Sequence, residues 1–174
     1  MKCKLYAPVP VYSGGKYLRV TAIMGGLLIA LISAGCSSQP IDSNPVRDLS
    51  FETIDKGSSS GIETGERLVI ESAADWEDLW GEHTALRTPA PALPGIDFSR
   101  QMVIAVFSGL KSTGGYSVEI TEIRATNREL NIVYQVTEPG PDDMVTEAET
   151  QPFHIIKIGR VDGLSAVFTL EEQP

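Results

Sequence analysis

Hydrophobic and polar positions change period along this chain, and the changes mark out its elements. Residues 49–53 alternate apolar with polar and residues 67–71 are a short branched-apolar run with charged ends, so both read as strands around a turn-rich 56–61. The period then lengthens. Trp76, Leu79, Trp80 and His83 recur at helical spacing behind Ser72, which suits an N-cap, with Asp75 near the positive end of the helix dipole. Two tryptophans on one helical face predict contact with a sheet, with their indole N–H groups finding partners near the core's edge. Gly81 costs up to about 1 kcal/mol relative to alanine inside a helix, so the helix is expected to end near it.

Pro89, Pro91 and Pro94 remove backbone donors from residues 88–95 and make them a surface crossover. Residues 101–107 have the apolar density of a central strand buried on both faces. Residues 116–123 and 129–137 predict a hairpin, with Leu130, Ile132, Tyr134 and Val136 on the buried face of its second arm. Val118 and Ile120 mark the first arm, and Ile123 falls out of phase, which calls for a bulge near Thr121 or Glu122. Residues 153–158 and 166–170 supply two further strands, joined by a turn at Asp162-Gly163. The expected fold is α+β, mainly antiparallel β: about seven strands in a sandwich or partly open barrel with one packed helix.

Ahead of this domain, an apolar run ends at Ala34-Gly35-Cys36 and follows Lys2, Lys4, Lys16 and Arg19 with no acidic residue among them. At about fifteen residues it is short for a bilayer span, which needs roughly twenty. The motif resembles the lipobox of bacterial lipoproteins, with Ser33 where a branched apolar residue is usual. That resemblance implies a signal peptide over residues 1–35, acyl chains such as palmitate on Cys36, a flexible tether over 36–48 and a folded domain over 49–174. An uncleaved anchor helix is the other reading, and both tie the chain to a membrane. Ser37 stands where an aspartate retains many lipoproteins in the inner membrane, so an outer-membrane address, facing periplasm or surface, is favoured in a double-membraned cell.

Removing residues 1–35 takes four of the 14 basic residues and none of the 23 acidic ones, which moves the net charge from −9 to −13. Such a surface repels phosphate backbones, so nucleic acid is excluded as a partner. It also works against adhesion to anionic lipid, which leaves membrane attachment to the lipid anchor. With Cys3 in the leader and Cys36 acylated, no disulfide framework exists, and stability must come from apolar burial.

The search for chemistry assigns no catalytic, metal-binding or cofactor-binding residue. Gly109-Leu110-Lys111-Ser112-Thr113-Gly114-Gly115 has the residue types of a phosphate loop, but its lysine precedes the glycine pair and a strand follows in place of a helix. It reads as a tight connection using glycine conformations. His83 and His154 are the only histidines and neither has a metal partner at motif spacing, so both read as structural. Asp142, Asp143, Glu147 and Glu149 lack the spacing of a calcium loop and read as a solvated acidic loop. No serine sits in a Gly-x-Ser-x-Gly elbow.

Ile96-Asp97-Phe98-Ser99, the apolar strand to Phe107, Gly109, Thr113-Gly114-Gly115-Tyr116-Ser117 and Thr150-Gln151-Pro152-Phe153-His154-Ile155-Ile156-Lys157 together resemble the C-terminal domain of the protease complex subunit PrcB family. Phe153 stands where that family commonly has tyrosine. The resemblance implies an exported, non-catalytic domain that binds or stabilises an exported partner such as a protease. Gly114, Gly115 and Tyr116 are its most specific block and the candidate interaction or structural motif. The competing reading is a hydrolase or small-ligand-binding lipoprotein whose site is assembled from distant residues.

Overall fold

The computed structural model describes residues 46–171, so the signal segment, Cys36 and most of the tether lie outside the described residues. Among these residues the chain runs β1 (Arg47–Asp48), β2 (Phe51–Gly57), β3 (Gly65–Ile70), α1 (Ala73–His83), β4 (Gln101–Ser108), β5 (Ser117–Ala125), β6 (Glu129–Thr137), β7 (Phe153–Gly159) and β8 (Ser165–Glu171). Two four-stranded sheets form, in the orders β1-β5-β6-β8 and β2-β7-β4-β3. They stack as a sandwich and do not close into a barrel.

The alternation of β4 explains the layering. Met102, Ile104 and Val106 pack between the sheets with Ile120, Ile132, Tyr134 and Ile156. Val103, Ala105 and Phe107 point the other way, onto Trp76, Leu79 and Trp80 of α1. Residues of both parities are therefore apolar in β4, and Val103, Ile104 and Ala105 are fully enclosed. At roughly 25 cal/mol per Å² of apolar surface removed from water, this central strand and the helix that covers it carry much of the domain's stability.

Ser72 caps α1 by accepting a hydrogen bond from the Asp75 N–H at 3.2 Å. The helix passes Gly81 and ends at His83, two residues beyond the glycine. Gly81 projects into open space, while the buried His83 ties down the last turn, so packing overrides propensity there. The proline-rich crossover supplies the partners that the indoles require: Trp76 Nε1 donates to the Pro94 carbonyl at 3.0 Å and Trp80 Nε1 to the Pro91 carbonyl at 3.3 Å. A proline lacks an N–H but keeps its acceptor, so the segment that cannot join a sheet closes the helix face instead.

β5 and β6 pair as the expected hairpin, and the register slips between Ile120 and Glu122, which places the bulge at Thr121. Two features, the strand count and the pairing of β8, differ from the sequence expectation. The strands number eight, because Arg47 and Asp48 already pair with Ala125 and Arg124 of β5. The turn at Asp162-Gly163 joins β7 to β8 as expected and carries the chain from one sheet to the other, with Gly163 at φ +73°. β8 then pairs parallel to β6, an arrangement two-residue alternation cannot distinguish from an antiparallel one.

Candidate functional site

Three places carry polar groups whose arrangement is unusual for a plain sandwich: the glycine-rich end, a cleft between the sheets, and two buried histidines.

At the glycine-rich end, the loop between β4 and β5 is locked to the long loop before β7. Gly114 N–H donates to the Thr146 carbonyl at 2.9 Å, and Lys111 and Thr150 form a two-way bridge. A Cβ on Gly114 would overlap the Thr146 hydroxyl. Gly115 sits at φ +88°, and a Cβ there would come within 2.9 Å of both Pro139 and Val145. Left-handed backbone and lack of space thus coincide at Gly115. Tyr116 is half-buried, with Lys111 Nζ 5.2 Å from its ring centroid. The two locked loops expose Leu110, Met144 and Val145, and Met144 is fully exposed.

Beside this end a cleft of about 570 Å³ opens where edge strands β3 and β8 flank the interior. Val106, Val118, Val136 and Leu170 give it apolar walls, and Arg67 and Lys111 bring cations to it. Arg67 Nε donates to the Tyr134 hydroxyl at 2.6 Å.

The histidines are enclosed. His83 is wholly buried against Phe153, at 4.4 Å between ring centroids. Its Nδ1 lies 2.9 Å from Ser60 Oγ and its Nε2 3.1 Å from Asp55 Oδ2, which also accepts from Arg87 Nη1 at 2.8 Å. Desolvation pushes His83 below its usual range, and the Arg87 charge adds to this against the opposing Asp55. For Asp55, burial raises the pKa, but the hydrogen bonds from His83 and Arg87 and the Arg87 charge outweigh it, so it falls. A neutral His83 that donates from Nε2 to Asp55 and accepts at Nδ1 from Ser60 fits these distances. Serine, histidine and aspartate meet here, yet Ser60 is 0 % exposed and its oxygen already accepts from the Ile62 N–H. A nucleophile must reach its substrate, so the geometry joins α1 to β2 and the following loop.

His154, 2 % exposed, spans the two sheets: its Nδ1 accepts from the Ile120 N–H at 2.8 Å, leaving Nε2–H for Thr53 Oγ1 at 2.9 Å. Desolvation, reinforced by the Lys56 charge and opposed by Glu119, lowers its pKa to about 4. Lys56 and Glu119 bridge the same sheets at 2.9 Å, and the hydrogen bond from Lys56 holds the Glu119 carboxyl below its ordinary range. Neither histidine lines the cleft. Among the described residues, no three His, Cys, Asp or Glu side chains gather where they could hold a metal ion.

Sequence reasoning placed Gly114, Gly115 and Tyr116 at one end of a sheet, and the structure brings them against residues 139–146. It did not bring Arg67 to Lys111, or Asp55 and Ser60 to His83. Those residues lie far apart along the chain and share no periodic signal; only the strand order unites them.

Fold and site together define a two-sheet sandwich covered by one helix, with a glycine-locked end and an adjoining cleft. Residues 102–159, which run from β4 through β7 and include the glycine-locked loops, match the family described as PrcB C-terminal. Neither the comparison with curated proteins nor that with solved structures gives a match.

Proposed function

We propose that this chain is a membrane-anchored, non-catalytic subunit that holds or stabilises an exported partner, a protease in the reading favoured by the PrcB C-terminal match. The observation that carries it is the glycine-locked end, where the matched segment holds Leu110, Met144 and Val145 in solvent beside half-buried Tyr116. Exposed apolar side chains on a braced backbone suit a binding surface, because little ordering entropy is lost when a partner covers them. Cys36 supplies the lipid anchor in this proposal, and the apolar run with Ala34-Gly35 before the thiol supports it. The location is then the cell envelope, at the outer membrane where the cell has one.

Affinity purification of the full-length chain from membranes tests the binding role. Met144→Asp puts a charge on a side chain that makes no core contact, so it should leave thermal unfolding unchanged and reduce the co-purified partner by about tenfold, the effect of a lost apolar contact plus a buried charge. Undiminished recovery of every co-purifying protein from that variant would reject the surface.

A further inference from the structure

We propose that the cleft between β3 and β8 captures the carboxyl end of an extended protein chain whose last side chain is apolar. This rests on the partner-binding reading and adds the partner's chemistry. Two independent features point to it, one electrostatic and one in the backbone.

The domain is strongly acidic, and among the described residues Lys56, Arg87, Arg100, Arg124, Lys157 and Arg160 each face a carboxylate at salt-bridge distance. Arg47, Arg67, Lys111 and Arg128 do not, and of these four Arg67 and Lys111 line this cleft. Because Tyr134 accepts the Arg67 Nε hydrogen bond, its own O–H is left to donate. Guanidinium, ammonium and phenol thus offer donors beside the apolar walls of Val106, Val118, Val136 and Leu170. That set suits one carboxylate attached to an apolar group. Glu138 and Glu171 also line the cleft, and Glu171 accepts from Gln135 Nε2 at 2.9 Å. Two carboxylates at the site disfavour a dianion such as a phosphate ester and leave a monoanion as the better fit.

The backbone feature is β8. It is an edge strand that pairs with β6 over seven residues without a register break and bears a single charge, Glu171, and no proline. The other edges are guarded: β2 is broken by a bulge and carries Glu52, Asp55 and Lys56, β3 carries Glu66 and Arg67, and β1 is two residues long. An unguarded edge is a template for one more strand, and Leu170 and Glu171 of this strand lie on the cleft wall. A chain pairing along β8 would bring its terminus to Arg67 and Lys111.

The test uses the full-length chain in detergent with a fluorescent octapeptide of alternating threonine and valine that ends in a free valine carboxylate, its C-terminal amide, and dodecanoate. The free-acid peptide should bind at least about tenfold more tightly than the amide, as expected for a charge-assisted hydrogen bond. Arg67→Gln or Lys111→Gln should reduce its affinity to that of the amide with unchanged thermal unfolding, and binding should slow amide exchange across 165–171. Equal affinity for acid and amide, or no saturable peptide binding up to about 1 mM, a range that spans weak recognition, would overturn the inference. Dodecanoate binding without peptide binding would assign the cleft to a free apolar acid and reject the docking role. Met144→Asp separates this from the broader reading: loss of partner recovery in that variant, with no peptide affinity for the cleft, would leave the partner-binding proposal standing and remove only the terminus-capture site.

Discussion

Acid should loosen the join between the two sheets through His154. The ring accepts a hydrogen bond from the Ile120 N–H, so a proton on Nδ1 would set two donors face to face in a site closed to water. Its folded pKa, lowered from 6.5 to about 4, means that the native state favours the neutral ring. The unfolded chain then binds the proton first, so stability is complete above the unfolded pKa and is lost as pH falls from 6.5 towards about 4. At 1.36 kcal/mol per unit the full loss is about 3 kcal/mol, of which about 2 kcal/mol is gone by pH 5. Urea unfolding at pH 7.5, 6 and 5 measures it. His83 shifts in the same direction, so the comparison must be with His154→Asn, which keeps an acceptor near the Nδ1 position but cannot titrate. The variant should be less stable at pH 7.5 and should lose about 2 kcal/mol less than the parent on going to pH 5. Parallel losses in parent and variant would refute the account of His154.

Trp80→Ala should destabilise the domain by about 3–5 kcal/mol, because the side chain is 6 % exposed between Trp76, His83 and the Pro91 carbonyl; chemical denaturation checks it. Gly115→Val should cost at least about 1–3 kcal/mol through its positive φ alone, with further loss from contact with Pro139 and Val145. Cys36→Ser should move the protein from the membrane to the soluble fraction, and a mature N-terminus found elsewhere by mass spectrometry would contradict the anchor.

Much of the sandwich was legible because its signals are local. The phase break at Ile123 fixed the bulge, the unbroken run at 101–107 fixed the central strand, and Ser72 fixed the helix start. What escaped depends on contacts between distant segments. β1 is too short for any period to show, and the parallel pairing of β8 with β6 follows from a sheet crossing that a turn residue does not encode. Gly81 suggested an early helix stop by propensity, but His83, held by Ser60 and Asp55, kept the last turn in place. The candidate site divides in the same way. The left-handed glycine at Gly115 announced itself next to a strand, whereas Arg67 and Lys111 line one cleft only because the start of β3 lies beside the end of β4 and the loop that follows it.

The central claim, that the glycine-locked end binds an exported protein, is tested most directly by photocross-linking in the native membrane. A photoreactive residue at Met144, fully exposed on the locked loops, should capture a discrete partner, and one at Glu77, exposed on α1, should not. The account predicts that the Met144 product contains an exported protein and disappears in a Leu110→Asp background. Equal labelling from both positions, or no product from Met144 when the protein is correctly anchored and folded, would contradict it.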